Sequence, residues 1–243
     1  MNPKLIPVHN FYPLSAVILA MVAATSTATV PAAANFSKTA LTIAAQPARS
    51  TASGNRSEVD QLWRNGIRHY QAKQFRESVA PLVQLTSLEP DNYKARVLLG
   101  GAYFELKEYP NAAAQFQRAT QINPKASSAW SLFGNAQNQL KQYQEAIPAF
   151  VKALELDAKN ADALLGSGVA YYNTQQYELA IAAYQAYTAI LPGKVMGYAY
   201  LGDAYRRHGD KTAAIAAYEK ALSLDANQAI AKTGLEKAKA MKP

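Results

Sequence analysis

Residues 98–126 read LLGGAYFELKEYPNAAAQFQRATQINPKA. The stretch has no cysteine, histidine or serine, so it lacks the nucleophile and base of most covalent catalysis. Its glycines, tyrosines and alanines are nevertheless placed in order. Gly100 has counterparts at Gly66, Gly134, Gly168 and Gly202, with one constant interval from each to the next, in a chain with only 12 glycines. Small residues follow in step at Ser78, Ala112, Ala146, Ala180 and Ala214, and large ones at Leu82, Phe116, Phe150, Tyr184 and Tyr218. A further column runs Leu85, Ala119, Ala153, Tyr187, Ala221, and Pro90, Pro124 and Pro192 stand near unit ends.

This order of an aromatic, Leu-Gly, Tyr, Ala, an aromatic, Ala and Pro resembles the tetratricopeptide repeat family. Leu99, Gly100, Tyr103, Ala112, Phe116, Ala119 and Pro124 carry it in the quoted unit, and Trp130, Phe133, Gly134, Ala146, Phe150 and Ala153 in the next. The resemblance covers residues 59–228 as five tandem units, 59–92, 93–126, 127–160, 161–194 and 195–228. It implies an all-α protein, a right-handed α-solenoid of five helix-turn-helix repeats. Within each unit, a glycine on the first helix and alanines on the second let the backbones approach, and the large ring fills the groove. No unit buries its apolar stripe alone, so stacking supplies the cover. Residues 229–243, with Ile230, Leu235 and Ala238 among lysines, are expected to form a capping helix.

Irregularities carry expectations too. Pro81 and Pro148 are expected near the start of their second helices, with small kinks. Tyr187, where alanine is the rule, predicts splayed packing in the fourth unit. Gly209-Asp210 reads as a helix stop followed by a helix start.

The N-terminal stretch, 1–55, differs in kind. All 17 acidic residues lie beyond Asn55, whereas Lys4, Lys38 and Arg49 precede it, so the formal charge of +8 is unevenly shared. Lys4, the apolar run Leu14–Ala24 and the small residues that follow have the three-part layout of a signal peptide, with cleavage after Ala24 or Ala34. Residues 1–34 are assigned to it and 35–58 to a flexible lead-in. The alternative is a retained anchor, although the apolar run is short of the about 20 residues a bilayer needs. Export to the periplasm or an equivalent extracytoplasmic compartment follows from the first reading, and attachment to the inner membrane from the second.

Chemistry finds little support. Without cysteine there are no disulfides and no thiolate ligands. His69 is expected to pack in the core and His208 to face solvent, and no two histidines share a helix face, so no metal site is predicted. Glu105 and Glu108 read as a solvated face. The regular glycines fall within helices, so no phosphate-cradling loop appears. The chain reads as a non-enzyme without a cofactor.

The family resemblance places ligand-facing positions on the first helices, along the concave side. Here they supply an aromatic end with Trp63, Tyr70 and Phe104, flanked by Ile67 and Val97. The middle is polar, with Asn135, Asn138 and Asn173, Val169 and Tyr172 lie on the same stripe, and Tyr200 with Arg206 makes a basic end. The basic and Asn set with which some relatives clamp a terminal carboxylate is absent: Trp63, Ile67, Leu98, Ser128 and Leu132 stand in its place. The expected function is a scaffold or adaptor of the cell envelope that binds a peptide or protein segment. A membrane-tethered assembly factor is the first alternative. A binder of nucleic acid or anionic surfaces through Arg206, Arg207, Lys211, Lys232, Lys237, Lys239 and Lys242 is the second.

Overall fold

The computed structural model describes residues 56–242, so the expected signal segment, and the lead-in up to residue 55, lie outside the described residues. Eleven helices and no strand occur among the described residues. They run α1 (Arg56–Gln71), α2 (Phe75–Leu88), α3 (Tyr93–Glu105), α4 (Tyr109–Ile122), α5 (Ser127–Gln139), α6 (Tyr143–Leu156), α7 (Ala161–Asn173), α8 (Tyr177–Ile190), α9 (Val195–His208), α10 (Lys211–Leu224) and α11 (Ala229–Lys239). Each helix packs on its successor, so the chain is a helical repeat solenoid of five pairs closed by α11. Helix α1 begins at Arg56, inside the segment expected as lead-in.

The glycine lattice does what its spacing predicts. Every one of the five lies in a first helix and faces the large residue of its own unit on the second. A Cβ would stand 2.6 Å from Leu82 at Gly66 and 2.7 Å from Phe116, Phe150 and Tyr218 at Gly100, Gly134 and Gly202. Leu82, Phe116, Phe150 and Tyr218 are wholly buried. The helices thus sit one ring-thickness apart, and no side chain fits where hydrogen now stands.

Tyr187 does not splay the fourth unit. It is 4% exposed, and its ring lies where Gly197, on the next first helix, has no side chain. From the second unit on, the column of Gly197 is otherwise Ala95, Ala129, Ala163 and Ala231. Tyrosine stands where the other units carry a smaller residue, and glycine in place of the facing alanine gives its ring room at the seam.

The prolines are deeper than expected. Pro81 is the seventh residue of α2 and Pro148 the sixth of α6, and both helices continue through them. Each proline withdraws the donor from the carbonyl four residues back, at Glu77 and Gln144. Both of those residues are exposed, so water can take the donor's place. The capping helix also presents a different face. It buries Ala231, Gly234 and Ala238, while Ile230 stays 38% exposed.

Helix termini repeat with variations. Asn92, Asn160 and Asp210 cap α3, α7 and α10 by accepting from Ala95, Ala163 and Ala213 at 2.9–3.0 Å. The turn between helices in each pair needs one left-handed residue. Gly209 supplies it at φ 99°, but the equivalent positions are Lys73, Lys107, Lys141 and Gln175 at φ 58–62°. His69 is half-buried rather than core, with Nδ1 2.9 Å from Gln74 Oε1. His208 is exposed as expected and lies 3.4 Å from Glu178.

Candidate binding face of the first helices

Along the face built by α1, α3, α5, α7, α9 and α11, neighbouring first helices do not approach evenly. Helices α5 and α7 touch closely, as do α9 and α11, whereas α3 barely meets α5 and α7 barely meets α9. From α3 onward one column matches the spacing: Leu132, Gly166, Tyr200 and Gly234, set at the same interval as the lattice glycines. Where the column holds glycine the helices close. A Cβ at Gly166 would run into Phe150 and lie 2.7 Å from Asn135 Oδ1, and one at Gly234 would run into Tyr218. Buried Leu132 and half-buried Tyr200, whose ring sits 5.7 Å from that of Tyr184, hold the other seams apart.

The sequence-predicted site residues divide accordingly. Tyr70 is 3% exposed and Val97 wholly buried, so these two belong to the core and not to a groove lining. Tyr70 packs edge-on against Phe75 of its own unit, ring centroids 5.3 Å apart, and Val97 belongs to the same N-terminal core cluster. Trp63, Ile67 and Phe104 are half-buried and pack against the N-terminal core cluster. Asn138 spends its amide on the seam, donating Nδ2 to the Gly166 carbonyl at 2.8 Å. Asn173 is exposed and turns back onto the Val169 carbonyl at 2.8 Å. Asn135, Val169, Tyr172 and Tyr200 remain half-open on the face.

Arg206 is engaged within the chain. Its NH2 donates to Asp203 at 3.1 Å and its Nε to the Tyr218 hydroxyl at 3.3 Å, while that hydroxyl donates to Asp203 at 2.7 Å. The Tyr218 ring starts on α10, threads the gap between Gly202 and Gly234, and brings its hydroxyl to this face. Burial pushes the phenol well above its ordinary range, and the hydrogen bond to Asp203 adds to that. Burial works against the Arg206 charge, yet the bonds to Tyr218 and Asp203 outweigh it and hold the guanidinium above its usual value.

Beside this triad a cleft of about 420 Å³ opens between α7, α9 and α11. Tyr172, Asp203, Arg206, Ala229, Ile230, Thr233, Gly234 and Lys237 line it. Arg207 stands at its margin, donating Nε to the Tyr172 hydroxyl at 3.3 Å. Thr233, Gly234 and Ile230 were not among the expected site residues, and Lys237 stood only in the basic set of the anionic-surface alternative. The signal was available, because Gly234 and Lys237 fall one repeat interval beyond Tyr200 and Asp203, so α11 continues the first-helix lattice.

No set of three or more metal-ligating side chains occurs among the described residues, and no helix among them is long and apolar enough to cross a membrane. Models described as tetratricopeptide repeat match residues 132–195 and 195–228, and one described as anaphase-promoting complex, cyclosome, subunit 3 matches residues 80–153. No curated protein matches the sequence. Among solved structures, the fold is similar to MamA, at 22% identity over 73% of this chain and 96% of that one, with a TM-score of 0.66. MamA from Desulfovibrio magneticus RS-1 gives 22% identity, 71% and 97% coverage and a TM-score of 0.66. YrrB, described as a TPR protein with an unusual peptide-binding site, gives 18% identity, 70% and 88% coverage and a TM-score of 0.63.

Proposed function

The chain is a tetratricopeptide repeat protein, and from that premise we propose that it is a non-catalytic scaffold or adaptor that binds a peptide or protein segment along its first-helix face. The observation carrying this reading is the contrast between the two sides of each first helix. One side is locked by glycine–ring contacts, while the other keeps a row of half-open side chains, Asn135, Val169, Tyr172 and Tyr200, over three successive repeats. Aromatic rings and amides of this kind suit an extended segment, the rings anchoring side chains and the amides meeting the backbone. YrrB, a structural neighbour described as having a peptide-binding site, supports the same reading.

A photo-crosslinking residue placed at Asn135 or Tyr172 is expected to trap a discrete partner. The same residue at Leu156, an exposed apolar position on α6, is expected to trap none. Equal trapping from both positions overturns use of this face.

The envelope location is part of the proposal and rests on the layout of residues 1–34. Intact mass of the protein recovered from its native cells is expected to show a start at Thr25 or Asn35. A chain retaining residues 14–30 would turn the adaptor into a tethered assembly factor.

A further inference from the structure

We infer that the cleft between α9 and α11 is the docking point for an acidic side chain of the bound segment, with Lys237 as the cation left for the ligand. The inference rests on the proposed scaffold reading and specifies what one end of its face recognises.

The charges in the cleft set its preference. Asp203 is paired within the chain with Arg206 at 3.1 Å, and the same oxygen accepts from the Tyr218 hydroxyl at 2.7 Å. The Arg206 charge balances that of the Asp203 carboxylate, and Arg206 is held in one orientation by two bonds. Lys237 is exposed, and it makes no hydrogen bond or ion pair among the described residues. The lining groups thus leave one positive charge, with Arg207 adding a second at the margin. Ile230, 38% exposed, supplies an apolar wall beside that charge. A carboxylate next to an aliphatic side chain matches this pairing, and the Thr233 hydroxyl lines the same cleft.

A nucleic acid is the poorer fit. It needs a track of free cations along a backbone, whereas Arg206 is engaged by Asp203 and Lys211 by the Met241 carbonyl.

The test uses the full chain and a displayed library of random dodecapeptides. Selected peptides are expected to be rich in Asp or Glu beside aliphatic residues, and to bind less tightly as salt rises. By fluorescence anisotropy, Lys237→Glu is expected to weaken them by about tenfold, because reversal exchanges an attraction for a repulsion of similar size. Lys239→Glu makes the same charge change on the same helix outside the cleft lining, and is expected to change affinity by less than about twofold. Peptides with Glu replaced by Lys should regain affinity for the Lys237→Glu chain. If selected peptides bind both variants alike but lose affinity on Tyr172→Ala or Asn135→Ala, the cleft assignment fails and the scaffold reading stands. If a single-stranded oligonucleotide displaces the peptides and itself depends on Lys237, the ligand is a phosphate and the inference fails. If no peptide is selected at all, both readings fail.

Discussion

Two notches on the first-helix face are built on one plan and finished differently. In the middle one, Gly166 sits over Phe150 and under Asn135 and Asn138. In the terminal one, two repeats further on, Gly234 sits over Tyr218, and the positions of the two asparagines are taken by Asp203 and Arg206. The middle notch is sealed, because Asn138 bonds across it to the Gly166 carbonyl. The terminal notch is open beside a charged triad and a free lysine. A glycine therefore fixes how close two helices come. The side chains beside it decide whether that closeness makes a seal or a mouth.

Removing the rings should separate the two most clearly. Phe150→Ala is expected to cost about 4 kcal/mol in chemical denaturation, since a wholly buried ring is lost from the middle of the array. Tyr218→Ala should cost less globally and show instead as early amide exchange in α11, because an end unit can fray alone.

Alkali offers a second separation. Burial raises the Tyr171 phenol to about 12, and Tyr184, Tyr187, Tyr200, Tyr205 and Tyr218 are raised as well, in each case chiefly by burial. In the first two repeats Tyr103 is raised, again chiefly by burial. An unfolded tyrosine ionises near 10 and these do not, so their contribution is intact below pH 10 and is lost as pH climbs from there towards 12. Circular dichroism and exchange between pH 10 and 12 should show the C-terminal repeats opening first, by about 2 kcal/mol or more.

Gly166→Ala is expected to destabilise by about 2 kcal/mol, through overpacking against Phe150 and Asn135 on both sides. Gly234→Ala should cost about half as much, because α11 can lift as a single helix. Exchanging the ring chemistry is gentler. Tyr218→Phe takes a buried hydroxyl from Asp203 and should cost about 1 kcal/mol in melting experiments, whereas Phe150→Tyr should be nearly neutral, with Asn135 Oδ1 at hand to accept. The turns supply the smallest contrast. Lys141→Gly should stabilise by about 0.5 kcal/mol, because glycine meets no steric cost at φ 61°, and Gly209→Lys should destabilise by a similar amount.

These differences also mark how far the sequence could be read. The repeat lattice predicted the five glycines at the repeat interval and the large residue that fills the space beside each, because a fixed period forces the same contact in every unit. It did not reveal Gly166, Gly197 and Gly234, which answer particular rings across seams rather than the period itself. Tyr70 and Val97 were placed on the open face and are buried, since a rotation of about 100° per residue lets one step of phase exchange groove for core. Four left-handed turn residues were invisible because lysine and glutamine give no sign of the conformation that Gly209 declares. The helix interiors of Pro81 and Pro148 were missed for the opposite reason: proline signals a boundary, and the exposure of Glu77 and Gln144 one turn back does not appear in a string of letters.

The uneven seams give the rod a mechanical grain. Where Gly166 and Gly234 draw first helices together, bending inward has no travel left. Where Leu132 and Tyr200 prop them apart, only the second-helix packing resists. Flexing should therefore concentrate at the propped seams, so that the stack articulates in blocks of two repeats, and a long guest laid along it would be gripped and released in strides of that length.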